Sequence, residues 1–421
     1  MDGWKRKKVK HLGTVYSGST PSTDQIEYWN GSIEWITPND LSKNRNKYFK
    51  SSERKITQNG LKYSSAILLP AGSLVVSSRA PIGYLTIPQT EFTTNQGCKS
   101  IVFNSDNDVE FQYYNFQYNI ERLKQIGEGT TFSEVSKKFL ENFELDCPLV
   151  KTEQTRIAEI LTTVDNCISQ TNAVIKKCQC ILSGLMQDLL TKGIDDNGNV
   201  RSEASHLFIT KKGLSVPESW DVKTVGEISL TIDPQPDHRT PGEVKDGVPY
   251  VGISDFLFDG SININKCRRV SAQVFQEHKE RYTIKVGDII FGKIGTIGAP
   301  KQLPLSGNYT LSANVILIQP FDTPSFFYWM LRHPNIQREI NNTIHTTTQP
   351  AFGMQKIRAL KFAYPGEIER KKIGEILNAA ENDIKLEQLK LSKLQLIKTG
   401  LMQDLLTGKV KVPENILNPV N

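Results

Sequence analysis

Apolar residues recur at positions 157, 161, 164, 168, 171, 175, 178, 182, 185 and 189, in steps alternating between four and three, with Thr171 the one polar member. That spacing is the seam of a coiled coil, and at 1.5 Å per residue it predicts a helix of about 60 Å, longer than a compact domain needs for itself. The pattern returns 216 residues later at 373, 377, 380, 384, 387, 391, 394, 398, 401 and 405, interrupted only by Glu387 and Lys398. GLMQDLLT closes both stretches, at 184–191 and at 400–407, and the same offset relates Glu153 to Glu369, Ile157 to Ile373, Asn166 to Asn382 and Ile168 to Ile384. A seam this long is better buried by a partner of equal length, and the chain supplies one. The expectation is therefore two helical arms paired antiparallel, with seam positions Ile157, Leu161, Ile168, Leu185 and Leu189 on the first and Ile373, Leu377, Ile384, Leu401 and Leu405 on the second.

The segments preceding the arms repeat more weakly. Trp4 matches Trp220, IEWITPNDL at 33–41 resembles VPYVGISDF at 248–256, and AGSLVVSSRAPIG at 71–83 resembles VGDIIFGKIGTIG at 286–298. Each reads as a mixed module of short strands plus a helix. Strands are expected near 33–37, 73–78, 84–88, 99–103 and 142–147 with a helix near 109–126, and in the second copy near 248–253, 287–294, 313–319 and 359–364 with a helix near 324–342. Phe111, Tyr114, Tyr118, Phe326 and Trp329 have helical spacing and read as core. The fold class is α+β: two mixed α/β modules joined by two long antiparallel coiled-coil helices, an internal pseudo-twofold repeat. The expected boundaries are 1–150 for the first module, 151–191 for its arm, 192–216 for a linker with turn signals and no apolar period, 217–366 for the second module, 367–407 for its arm, and 408–421 for a tail.

A length of 421 residues, 38% hydrophobic and 23% charged, is that of a globular chain of two to three domains. No apolar run reaches the roughly 18 residues of a membrane span, and the basic MDGWKRKKVKH start leads into no signal-like segment, so no membrane partner and a cytoplasmic location are expected. The six cysteines form no disulfide framework or metal-ligand spacing. Gly287-Asp-Ile-Ile-Phe-Gly292-Lys293-Ile294 imitates a phosphate loop but has Ile where a hydroxyl must meet magnesium, and its interior reads as a buried strand. Pro236-Asp237 with Glu243-Val244-Lys245 has the residue types of a nuclease site, but the short Pro- and Gly-containing turn reads as a solvated loop. The glycine-rich cofactor loop and the base-holding tetrapeptide of a DNA methyltransferase are both missing from the sequence. No catalytic residue, and no metal or cofactor held by this chain, is expected.

The first module carries 18 Lys and Arg against 16 Asp and Glu, the second 16 against 14, a small excess for gripping DNA through phosphates alone. Either basic residues gather on one face, with Lys5, Arg6, Lys7, Lys8 and Lys10 the visible run, or a partner supplies much of the grip. In the order of its parts the chain resembles the specificity subunit of type I restriction-modification systems. The resemblance rests on two divergent modules, the repeated E-x-x-x-I-x-E-I-L…GLMQDLLT helices, the KGID linker leading to Pro217-Glu218-Ser219-Trp220, and the final LLTGKVKV. It implies that each module is a target-recognition domain reading one half of a bipartite, asymmetric site in double-stranded DNA. It also implies arms that set the spacer and dock two modification subunits, which methylate adenine, with restriction subunits joining. S-adenosylmethionine, ATP and magnesium are then expected on those partners.

Major-groove readout draws on Arg for guanine and Asn or Gln for adenine. The candidates are Arg79 and its matched neighbour Lys293, Asn95, Gln96 and Lys99 of the NQGCK stretch, and the loops Thr130-Thr131 and Thr346-Thr347-Thr348-Gln349. For any one of them a surface or turn role competes with base contact. Two other functions compete for the whole chain: a coiled-coil scaffold whose modules bind protein, and a stand-alone DNA-modifying enzyme.

Overall fold

In a computed structural model of the chain, the described residues are 3–79, 81–128, 134–237, 239–304, 307–344 and 351–413. They divide into two compact units, residues 1–170 with 391–421 and residues 171–390. Each unit contains one mixed α/β module and a stretch of both arms.

In the first unit an antiparallel sheet runs in the order Gly13–Ser17, Cys98–Phe103, Leu74–Ser77, Leu85–Pro88, and Tyr48–Phe49 then adds a fifth strand parallel to Leu85–Pro88. A smaller sheet sets Trp29–Ile36 between Lys55–Ile56 and Phe92–Thr94, and Trp4–Lys8 pairs antiparallel with Glu144–Pro148. The second unit repeats this plan: Ser229–Ile232, Val315–Pro320, Ile289–Gly292 and Lys301–Gln302 form one sheet, Arg268–Val270, Val248–Val251 and Thr310–Leu311 another, and Asp221–Thr224 pairs with Lys361–Tyr364. Every strand read from the sequence is present within a few residues. The phosphate-loop lookalike is the wholly buried strand Ile289–Gly292, while Asp237 and Glu243 lie in exposed loop.

Both module helices are shorter than expected. The first divides into Val109–Tyr118 and Ile120–Glu128, the second into Pro324–Arg332 and Pro334–Ile344. Pro334 explains the second break, since its ring excludes the preceding residue from helical geometry and it has no N–H to donate. Phe111, Tyr114, Phe326 and Trp329 are core residues as expected, but Tyr118 is 40% exposed because it ends its helix. The 192–216 segment also differs from its reading: Phe208–Lys211 and Leu214–Pro217 form a hairpin across Lys212-Gly213, both at positive φ (48° and 87°). That is the two-residue turn whose twist suits antiparallel strands.

The arms are Lys151–Leu189 and Glu367–Leu406. In the first unit Ile157 and Leu161 share a core with Leu401, Leu405 and Leu406 and with module residues Phe111, Tyr114 and Leu145. The start of one arm thus meets the end of the other, which makes the pairing antiparallel. In the second unit Leu182 of the first arm and Ile384 of the second are both buried and line one cleft. All ten seam positions on each arm are buried or half-buried. The polar interruption at Lys398 is met in the same unit by Asp165, 2.7 Å away.

Candidate nucleic-acid interface and module anchorage

The repeat is clearest where modules meet arms. Trp4 Nε1 donates to Glu153 Oε1 at 3.1 Å, and Trp220 Nε1 donates to Glu369 Oε2 at 3.1 Å. Donor and acceptor are both separated by the repeat offset, so the weak Trp4–Trp220 match marks one joint built twice. Two further arm positions are used alike. Thr162 bonds the Tyr114 hydroxyl at 3.3 Å, while its counterpart Asn378 accepts from Trp329 Nε1 at 2.8 Å. Asp165 accepts from Tyr114 at 2.8 Å, while its counterpart Glu381 pairs with Arg332. Burial, with Asp165 beside it, pushes the Tyr114 hydroxyl well above the ordinary tyrosine range, so it stays a donor. Glu369 has partners that Glu153 lacks: Arg201 Nη2 at 3.2 Å and the Ile194 amide at 2.9 Å, which pin the segment after the first arm to the second arm.

At one end of the first module's main sheet, the Ser78 amide donates to Gly97 O at 2.8 Å and brings together Arg79 and the 95–99 turn. Asn95 Oδ1 accepts from the Gly97 amide at 3.0 Å and shapes that turn, and Gln96, exposed, is bonded by the Thr20 hydroxyl. Lys99 lies inside. Its ammonium bonds Ser78 Oγ at 3.2 Å and Gln96 O at 3.1 Å and stands 3.4 Å from Glu134, and burial lowers its affinity for a proton although Glu134 opposes this. Glu134 also pairs with Arg79 Nε at 2.9 Å, leaving the Arg79 side chain half-exposed.

The second module has the same frame with different side chains. Ser78 O receives the Val135 amide and Lys293 O the Phe352 amide, while Arg79 bridges to Glu134 and Ile294 to Ala351. Ile294 therefore stands where Arg79 does and Lys293 where Ser78 does. Lys293 is buried, its ammonium 2.7 Å from Asp233. Beside it opens a cleft of about 460 Å³ to which Arg268, Ser254, Thr296, Ser312 and Asn314 contribute polar groups. Sequence reading missed these, and it missed Glu134 and Asp233, the carboxylates that hold the basic candidates. A clue was available for Asn314, which lies in the turn entering the strand matched to that of Lys99. Thr130, Thr131, Thr346, Thr347, Thr348 and Gln349 lie outside the described residues.

The basic N-terminal run forms strand Trp4–Lys8, with Arg6 held by Asp146 at 2.8 Å. Lys5, Arg6, Lys7, Lys8, Lys10 and His11 surround a shallow cleft of about 530 Å³ with Glu144 the single acid. Among the described residues no group of three or more His, Cys, Asp or Glu could hold a metal ion, and no helix is long and apolar enough to cross a membrane.

Two divergent modules on like frames, each bonded to its arm through the same indole–carboxylate joint, define a two-part recognition protein. The chain belongs to the family described as type I restriction modification DNA specificity domain, matched over residues 1–178 and again over 217–396. Its place in such a system is DNA recognition, and it is a non-catalytic specificity subunit. It is 28% identical over 419 residues to the type I restriction enzyme MjaIX specificity subunit of Methanocaldococcus jannaschii, covering 98% of this chain and 94% of that one. Over 166 residues it is 31% identical to the EcoR124I/EcoR124II specificity subunit of Escherichia coli, 38% of this chain and 40% of that one. The crystal structure of the S subunit from M. genitalium shares the fold, with a TM-score of 0.60 at 17% identity over 96% of each chain. A chain from a structure of type I restriction-modification complex assembly does so at 0.56 and 14%, over 97% of this chain and 99% of that one.

Proposed function

We propose that residues 1–150 and 217–366 each read one half of a bipartite, asymmetric site in double-stranded DNA. The arms, 151–191 and 367–407, fix the spacer and dock two modification subunits, with restriction subunits joining that assembly in the cytoplasm of a prokaryotic cell. The observation that supports this reading is the contrast between joint and surface. The module–arm bonds recur at matched positions, as two copies of one partner require, whereas the exposed residues at the sheet ends differ, as two unlike half-sites require. Arg79 and Gln96 are the reachable base-contact candidates in the first module. Lys99 and Lys293, buried against Glu134 and Asp233, act by holding the loops that present the readers. S-adenosylmethionine, ATP and magnesium act on the partner subunits. The deciding experiment exchanges residues 1–150 for the matching module of a relative, assembles the complex, and maps adenine methylation. One half-site changes and the other stays; a change in both refutes modular reading.

A further inference from the structure

The two modules differ at one edge of their main sheets. In the first unit, Tyr48–Phe49 lies parallel to Leu85–Pro88, and the Ile87 amide donates outward to Lys47 O at 2.8 Å. Lys47 turns toward the arm, where its ammonium pairs with Glu110 at 2.9 Å and Thr162 at 2.8 Å. In the second unit the matching edge is Lys301–Gln302. Leu303 N donates to Asp288 O at 2.9 Å, so by antiparallel alternation the Gln302 N–H and C=O face away from the sheet. The segment that would supply the fifth strand instead folds back on itself, with Leu257 N to Ser261 O at 2.8 Å and Asn263 N to Asp255 O at 2.8 Å. The space beside the edge is an open cleft of about 760 Å³.

Its lining is net basic, whereas in the filled site the entering strand brings the cation, Lys47, to an acid, Glu110. Lys301, Arg332 and Lys385 line it against two acids, Asp259, which lies near Lys385 and is bonded by Ser261, and Glu381, which is bonded to Arg332 and stands 3.3 Å from Lys385. The Lys301 ammonium, 5.9 Å over the Phe256 ring, has no ion pair among the described residues. Burial and then the neighbouring Arg332 lower its proton affinity, although Glu381 opposes this.

We infer that this cleft receives an extended, carboxylate-bearing segment of a protein partner, which adds a strand beside Lys301–Gln302 and places an acidic side chain where Lys47 sits in the first unit. Main-chain bonds to Gln302 supply the register and the basic lining supplies the preference. Among the described residues this open edge is found in the second unit and not in the first, so its occupant binds once per chain even where the arms dock two copies of something else.

The test uses the full chain and a fluorescent octapeptide of alternating threonine and glutamate, with a threonine–lysine octapeptide as control. Anisotropy shows saturable binding of the acidic peptide alone, and hydrogen exchange at the Gln302 amide slows on binding. Lys301→Glu with Lys385→Glu weakens binding by about tenfold or more, as does Gln302→Pro, which removes an N–H the sheet does not use. The milder Lys385→Gln, on the half-exposed arm face, gives a smaller loss in the same direction should the reversal unfold the module. The inference is overturned by no saturable binding, by binding that leaves Gln302 exchange unchanged, or by equal binding of the lysine peptide. It is also overturned by a single-stranded oligonucleotide protecting the same amide more strongly, or by self-association of the chain through this edge.

Discussion

At the scale of single residues, two carboxylates in matched positions have unequal burdens. Glu153 accepts the Trp4 indole, whereas Glu369 accepts the Trp220 indole, the Arg201 guanidinium and the Ile194 amide in a nearly closed setting. Removing one partner of a charged, buried network leaves the rest unsatisfied, at a cost of about 3 kcal/mol, against about 1 kcal/mol for a single bond at a half-buried site. Glu369→Ala is therefore expected to destabilise the chain markedly more than Glu153→Ala in urea unfolding; equal effects would show that Arg201 contributes nothing. His278 supplies a second test. It is buried between Gln235 and Thr310, and burial together with Arg281 lowers its affinity for a proton. The stability it confers is fully present above the unfolded value near 6.5 and is lost as pH falls through the lower folded value. Melting temperature should therefore fall between pH 7 and 5, with a shallower fall in His278→Gln; parallel curves would place the sensitivity elsewhere.

At the scale of elements, the arms carry one strict requirement, a continuous buried seam. Leu161 and Leu377 are fully buried at matched positions. Placing Asp at both buries two unpaired carboxylates at a cost of several kcal/mol and should separate the arms. The expected outcome is loss of partner assembly, by size-exclusion chromatography, while each module keeps its folded circular-dichroism signature. Unchanged assembly would mean the seam does not hold the arms. Lys398 behaves differently although it too is on the seam, because Asp165 satisfies it. A polar residue in such a position fixes register where an apolar one tolerates slippage.

At the scale of the whole molecule, a recognition chain whose readers act through stiff helices should behave as a ruler. Four added residues advance a helix by about 6 Å and roughly 400°, keeping the seam nearly in phase, whereas two rotate it by about 200°. Duplicating Thr171 to Val174, in the uninterrupted helix Lys151–Leu189, is expected to lengthen the unread spacer and preserve both half-sites. A two-residue insertion there is expected to abolish methylation. Methylome sequencing of cells carrying each variant decides it, and an unchanged spacer in the four-residue variant would remove the arms from that role.

The sequence by itself determined the features that rest on period and repetition. An alternating four-and-three spacing leaves a helix only one face to bury, so the seam positions were readable before any contact was known. The 216-residue offset likewise marked Trp4 and Trp220 as equivalents. Tertiary structure decided what depends on residues far apart in the chain. Lys99 and Lys293 read as available cations, but Glu134 and Asp233, distant in sequence, take them into the interior. The basic run at the N-terminus became a strand because Glu144–Pro148 lies against it. One module closed its sheet with Tyr48–Phe49 and the other left the edge at Lys301–Gln302 open, although the preceding segments 33–41 and 248–256 look alike. Local pattern fixes which face of an element is apolar; which charge meets which, and which strand edge is covered, is settled only when the chain brings the partners together.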